Sequence, residues 1–323
     1  MLRDDGGREQ RLGLGFAVAA QLIWGVQPLF WPLLGGMTTA EMLAHRVLWS
    51  WAVAMAVVAA QPRTRKGLRV LARDRRAVWT LAATGSLMGC AWGLYIYGVV
   101  TGRVVETSLS LFVGPLVTAV LGVAVLRERL RAYQWFAVAV SAVGVLVLGW
   151  GYGGVPWVAL LIAGTVALYG LIKKRLAVPA VEGMAVETVF LTPFAVGCLV
   201  WLGATDRLVF PGTWHVAPLV PLAGVVSTLP LLFFAAAVNR VPLSTFGLLM
   251  YLNPVIQFAI GAWVLGESVT PARWFGFGLL WVALAVFAVG ALRAARRTSG
   301  YEVEPPEESA GAGQLSSRRA WGR

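Results

Sequence analysis

A chain of 323 residues that is 58% hydrophobic and 13% charged, with a mean hydropathy of +0.73, is far more apolar than an ordinary globular domain. Its net charge of +12 taken alone would suggest nucleic acid, but most Lys and Arg residues lie in short loops between uncharged stretches such as AVAVSAVGVLVLG and LLWVALAVFAVGAL. Orientation in a lipid bilayer explains them better, so no nucleic-acid partner is expected. The two cysteines, Cys90 and Cys198, both fall inside apolar stretches and form neither a disulfide framework nor a metal-ligand spacing.

A helix needs about 20 apolar residues to cross about 30 Å of hydrocarbon. On that ruler the chain divides into ten spans, at 12–34, 40–60, 77–99, 104–126, 133–150, 156–172, 183–203, 216–238, 243–265 and 272–292. The first is too long for a signal-peptide core and reads as an uncleaved helix. Only GYGGVP separates the fifth from the sixth. From about residue 298 the chain is rich in Pro, Gly, Ser and Glu and is expected to be disordered. Counting Lys and Arg in alternate loops gives 23 on the side of the termini against 3 on the other, Arg103, Arg207 and Arg273. Both termini are therefore expected in the cytoplasm, with the protein in the cell membrane. Arg46 is left over inside a span.

Sliding the sequence by 139 positions pairs Gly85 with Gly224, Pro115 with Pro254, Gly122 with Gly261, Glu128 with Glu267, and Trp135-Phe136 with Trp274-Phe275. Spans three to five thus recur as spans eight to ten, and because five spans separate the copies, they cross in opposite directions. RERLR in one copy becomes GESVT in the other, with the arginines gone and the glutamate kept. The expected fold is an all-α polytopic membrane protein of ten transmembrane helices in two inverted five-helix repeats. Residues 1–11 form a cytoplasmic N-terminus, 12–150 the first repeat, 151–292 the second and 293–323 a cytoplasmic tail. Inverted repeats supply secondary transporters with two equivalent gates.

Pro115 and Pro254 lie near the middle of spans four and nine, where each removes a backbone donor, so both helices are expected to break beside a cavity. Glu106, Ser110, Gly114 and Thr118 form a polar stripe on span four, which the 139 shift maps to Thr245, Leu249, Asn253 and Gln257. These residues either pack helices together or line a pore, and their coincidence with the prolines favours the pore.

The stretches LAHRVLWS, WGLYIYGVVTGRVVETSLSLFVGPLV, LRERLRAYQWFAVAVSAVGV, LPLLFFAAAVNRVPLSTFGLLMYLNPVIQF and GESVTPARWFGFGLLWVALAVF resemble RarD-type permeases of the drug/metabolite transporter superfamily, EamA-domain proteins. The resemblance covers roughly residues 12 to 292. It implies a central cavity built from spans one to four and six to nine, with spans five and ten outside it, and supplies no substrate.

EMLAHRVLWS, at the start of span two, carries three polar groups into an apolar helix. Thr38 and Glu41 fit a capping box, which would account for Glu41 without a transport role. His45 shares the face of Glu41, giving either a local hydrogen bond or a titrating pair that would couple transport to protons. Arg46 lies roughly 12 Å below the cap and is expected to face the cavity, meeting Glu106 or an anionic group on the substrate, rather than snorkelling to the surface. Glu106 and Glu187 fall in first turns, where the macrodipole alone would suit them. Glu128 and Glu267 end their helices and read as loop contacts, while Gly85, Gly89 and Gly93 read as close helix packing. Trp24, Trp92, Tyr95 and Tyr97 either line an aromatic cavity or fill it. All four aspartates lie outside the spans, and there is neither an HExxH nor a P-loop. An intramembrane enzyme is therefore disfavoured, and a receptor or channel has no use for inverted halves. The expected activity is a secondary permease exporting a small metabolite or drug-like solute. It needs no cofactor or metal, its partners are that small-molecule substrate and the lipid bilayer, and its oligomeric state is left open.

Overall fold

A computed structural model describes residues 5–126, 130, 132–151, 155–176, 178–210, 216–238, 240, 249–250 and 252–299. The described residues are helical, with no strand among them. Helix α1 (Asp5–Phe30) ends in a 3-10 turn (Trp31–Leu34), followed by α2 (Thr39–Ala60), α3 (Pro62–Leu71), α4 (Arg75–Val100), α5 (Val104–Leu126) and α6 (Ala132–Gly151). Then come α7 (Trp157–Leu176), α8 (Ala180–Ala204), α9 (Leu219–Val238), α10 (Leu252–Ala259, continuing as a π turn, Ile260–Val264) and α11 (Pro271–Ser299).

Six helical stretches, Arg8–Leu34, Thr39–Ala60, Arg75–Val100, Val104–Val125, Ala132–Trp150 and Val181–Ala204, are long and apolar enough to cross a membrane. Four shorter apolar helices, Trp157–Lys173, Leu219–Phe234, Leu252–Val264 and Pro271–Val286, occupy the places of the other four predicted spans. Large apolar side chains such as Trp150 (89% exposed) and Phe194 (77%) face outward, as a lipid-solvated surface allows.

The packing obeys an exchange of halves. Helix α1 packs on α9 and α10, and its counterpart α7 packs on α4 and α5; α2 packs on α9, and its counterpart α8 on α4. The remaining major contacts between halves, α2 with α8, α5 with α10 and α6 with α11, join counterparts. Swapping the halves therefore turns each of these contacts into another that is present. The direction is inverted as well, since the C-terminal end of α10 meets the N-terminal end of α5, its own counterpart.

Small residues set the crossings. A Cβ on Gly85 would lie 3.0 Å from the carbonyl oxygen of Glu187 on α8, and one on its counterpart Gly224 would lie 2.4 Å from the carbonyl carbon of Trp49 on α2. Gly89 and Gly93 similarly meet Leu191 and Leu43. Where α6 crosses α11, Gly144 lies against the Gly276 carbonyl; the 139 shift maps Ala137 onto Gly276 and Gly144 onto Ala283, and both alanines are fully buried. Beside this crossing Leu109, Phe112, Leu148, Phe258 and Phe277 form one core, and Trp31, Leu34, Ile96, Val104 and Val220 form another.

Four expectations need correction. The loop at 61–76 contains α3, begun by Pro62 at its first position, where a missing N–H costs nothing. Helix α5 runs unbroken across position 115, so Pro115 does not break it, whereas span nine is interrupted just before Pro254: Leu249 is helical, Met250 lies in a turn, and α10 starts at Leu252 with Pro254 in its first turn, where proline is tolerated. A second irregular part of span nine is the π turn at Ile260–Val264. Helix α8 begins at Ala180, placing Glu187 two turns in rather than in the first turn, and Lys173 belongs to α7 rather than to a loop. Residues 127–129, 241–248 and 300–323, which include Glu128, Thr245 and most of the expected disordered tail, lie outside the described residues.

Candidate functional site

Arg46 sits two turns into α2, whose first turn is capped by Thr38 Oγ1 accepting from the Glu41 amide at 3.2 Å. Its side chain is 4% exposed, and the guanidinium carbon lies 4.5 Å from the ring centroid of Trp92 and 5.1 Å from that of Trp31. A desolvated cation–π contact contributes about 2 kcal/mol, comparable to the roughly 2.5–3.5 kcal/mol that burying an arginine at the bilayer centre costs on insertion scales. The rings thus offset most of the burial without supplying a hydrogen-bond acceptor. Arg46 Nε and Nη1, Trp31 Nε1, Tyr95 Oη, Trp49 Nε1, Ser50 Oγ and both His45 nitrogens have no hydrogen-bond partner among the described residues.

The expected pairing of Arg46 with Glu106 does not form. Glu106 accepts from the Val158 amide in the first turn of α7 at 3.0 Å and from Arg103 Nη1 at 3.4 Å. Glu41 does not bond His45 or complete the capping box. Its Oε1 accepts from the Val209 and Phe210 amides at 3.1 and 2.9 Å, and the His45 ring meets Phe210 edge-on at 5.0 Å.

Glu267 does more than end a helix. The Glu267 amide donates to the Gly261 carbonyl around Gly266, whose φ of +68° closes a Schellman-type end to the π turn. This turn delivers the carboxylate to the amides of Val104 and Val105, the latter at 2.8 Å, at the start of α5. Burial pushes its carboxyl above the ordinary range, opposed by the Val105 and Val104 amides and Arg273. Glu41, Glu106 and Glu267 therefore share one arrangement: each is a carboxylate of one half accepting from backbone amides of the other. All three are at the end of the bundle farther from Asp5.

The second half contributes fewer polar groups. Gln257 Nε2 donates to the Trp24 carbonyl at 3.1 Å and to Asn253 Oδ1 at 2.9 Å, tying α10 to α1, and the Trp24 ring lies 5.8 Å from Phe234. The stripe on α5 is not one buried line. Glu106 and Ser110 are buried and Thr118 is exposed, with Ser110 and Thr118 bonding back to carbonyls of their own helix, at Thr107 and Gly114. Nearer the termini, Glu187 accepts from Thr84 Oγ1 at 2.8 Å, Lys173 Nζ at 3.0 Å and Tyr169 Oη at 3.4 Å. Sequence reasoning missed Lys173, Thr84 and Tyr169. A lysine counted among loop charges but placed one turn inside an apolar helix was the available signal. Among the described residues no three His, Cys, Asp or Glu side chains gather where they could hold a metal.

Inverted five-helix halves, interlocked through counterpart helices and enclosing buried polar groups, define a polytopic membrane protein of the transporter class. The model of the EamA-like transporter family matches the chain twice, over residues 11–150 and 154–289, and the chain belongs to that family. It is 46% identical over 292 residues to protein RarD of Streptomyces exfoliatus, covering 90% of this chain and 92% of that one. It is 37% identical to protein RarD of Escherichia coli (90% and 99%) and 35% identical to an uncharacterized transporter of Vibrio cholerae (89% and 95%). A solved crystal structure superposes with a TM-score of 0.57 over 85% of this chain and 96% of that chain, at 19% identity, and shares the fold.

Proposed function

We propose that this transporter works by alternating access, its two halves rocking about a central site to export a small metabolite or drug-like solute. The observation carrying the proposal is the exchange of halves in the packing, because a molecule whose inter-half contacts map onto one another has a second arrangement, related to the first by a two-fold rotation, available at similar cost. Glu41, Glu106 and Glu267 close the end farther from the N-terminus, taken here as the external face of the cell membrane on the strength of the basic-residue count, with both termini cytoplasmic. The central site is assigned to Arg46, Trp92, Tyr95 and His45 from the first half, with Trp24, Asn253 and Gln257 where α1 meets α10. Glu41, with Oε2 unpartnered, is the candidate for coupling to protons.

A cysteine pair at Val105 and Gly261 tests this reading, because a Cβ on Gly261 would touch Val105. Oxidation should lock the external end and stop exchange of radiolabelled solutes by proteoliposomes, with reduction restoring it. Loading the solute on either side under a set pH gradient reads direction and coupling. Undiminished exchange in the cross-linked protein would overturn alternating access.

A further inference from the structure

We infer that the solute is a small organic acid and that Arg46 receives its carboxylate. The inference rests on the central site proposed above and adds the chemical class of its occupant.

Arg46 is a buried cation without a counter-ion. Glu41 is held by the amides of Val209 and Phe210, Glu106 by Val158 and Arg103, Glu187 by Thr84 and Lys173, and Glu267 by Val104 and Val105. Every described buried carboxylate thus has partners other than Arg46, Glu41 through Oε1 alone. The unpartnered atoms at the guanidinium include the donors Arg46 Nε and Nη1 and Trp31 Nε1, and the Tyr95 hydroxyl, which can donate or accept, belongs to a ring in the same core as Trp31. A carboxylate accepts about four hydrogen bonds and carries the negative charge that an unpaired buried guanidinium lacks, whereas an amide or alcohol could accept from the same donors but would leave that charge uncompensated. A quaternary ammonium is the opposite case. It would need the faces of Trp31 and Trp92, which the guanidinium already covers.

The test uses the full-length protein in nanodiscs, titrated with acetate, succinate and benzoate, with the amides acetamide and benzamide, and with benzyltrimethylammonium, at fixed pH and ionic strength. Tryptophan emission reads the site directly and the thermal midpoint gives a second measure. At least one carboxylate should bind saturably and at least tenfold tighter than its amide, with no response to the ammonium. Arg46→Gln should abolish that preference, and Arg46→Lys should keep part of it because a point charge replaces the planar fork. If Arg46→Gln does not fold, Trp31→Phe decides, since it removes one donor while keeping an aromatic face and should weaken the acid several-fold and leave the amide unchanged. Equal binding of acid and amide, tighter binding of the ammonium, no saturable binding of any of the three acids, or unchanged acid affinity in the variants would overturn the inference. Flux measured in parallel separates it from the transport reading: acid-selective binding without flux sinks only transport, and flux indifferent to the acid group sinks only this inference.

Discussion

In the first half Gly85 brings α4 against the backbone of α8, and in the second Gly224 brings α9 against the backbone of α2. The halves agree in such crossings and differ in what they carry between them. The buried arginine, its indoles, Tyr95 and His45 all come from the first half, and no shift of 139 finds a second arginine in α8. The second half supplies amides for Glu41 and Glu106, the Glu267 carboxylate and the Gln257–Asn253 pair. Packing that both copies need has kept the repeat, and polar groups that meet one ligand need occur only once. In the central site we propose, the two walls are unlike, one presenting a cation and the other mostly neutral groups.

The sharpest way to break this comparison is to add one methyl group to each crossing. Gly224→Ala would drive a Cβ to within 2.4 Å of a backbone carbon and 2.6 Å of its oxygen at Trp49, neither of which can rotate away. Gly85→Ala would meet Glu187 backbone atoms at 3.0 and 3.1 Å, which a small shift relieves. Overpacking costs about 1–3 kcal/mol, so thermal unfolding in detergent should place Gly224→Ala at or above the top of that range and Gly85→Ala near the bottom. Equal losses would mean that the two crossings are more alike than their spacing indicates.

The crossings were legible in the sequence because a repeat of glycines, proline and tryptophan at one spacing records itself in residue types. Ten spans and their inversion follow from hydropathy and parity alone. The partners of the acids were not legible. Glu106 was assigned to Arg46 because opposite charges are visible in a sequence, whereas its actual acceptor role toward Val158 involves a backbone amide, which every residue but proline possesses. Glu41 and Glu267 were read as local for the same reason, although their partners lie 168 or 169 and 162 or 163 positions away. The proline reading failed at Pro115, which α5 spans unbroken, while at Pro254 a turn at Met250 precedes the start of α10. Proline is costly inside a helix and harmless in a first turn, and the position of Pro254 relative to the start of α10 is settled by packing. Arg46 was legible as buried, but the two indoles over it come from α4 and from the turn after α1, beyond the reach of periodicity within α2.

A second comparison sets the two ends of the bundle against each other. At the far end Glu41→Ala or Glu267→Ala would each strand two amides that now donate to a carboxylate, and hydrogen bonds to charged groups contribute about 1.5–3 kcal/mol. Near the termini Glu187 is buried against Lys173 and Thr84, whereas Glu9, farther out, pairs with Arg240 at 2.8 Å with both side chains exposed. Glu9→Ala should therefore cost about 0–1 kcal/mol. Thermal midpoints of the three variants order the ends, and a loss in Glu9→Ala matching the other two would remove the reason for placing the closed gate at the far end.

The smallest effect concerns the charge of Glu267 rather than its shape. Glu267→Gln keeps an oxygen to accept from Val104 and Val105 and removes the titration. Because burial holds this carboxyl above the ordinary value of 4.5, the folded protein keeps the proton to higher pH than the unfolded chain does. The sign follows: this group adds stability below the unfolded value, and that contribution is lost as pH rises through the raised folded value. Wild type should thus be favoured relative to Glu267→Gln at the acid end, and the variant should gain on it as pH increases. Paired thermal midpoints between about pH 4 and 8 read the slope directly. A rising advantage for wild type would show that the two amides and Arg273 outweigh burial. The carboxylate would then act as a charged clasp, strongest when ionised, and acidification rather than alkalinisation would loosen the junction of α10 with α5.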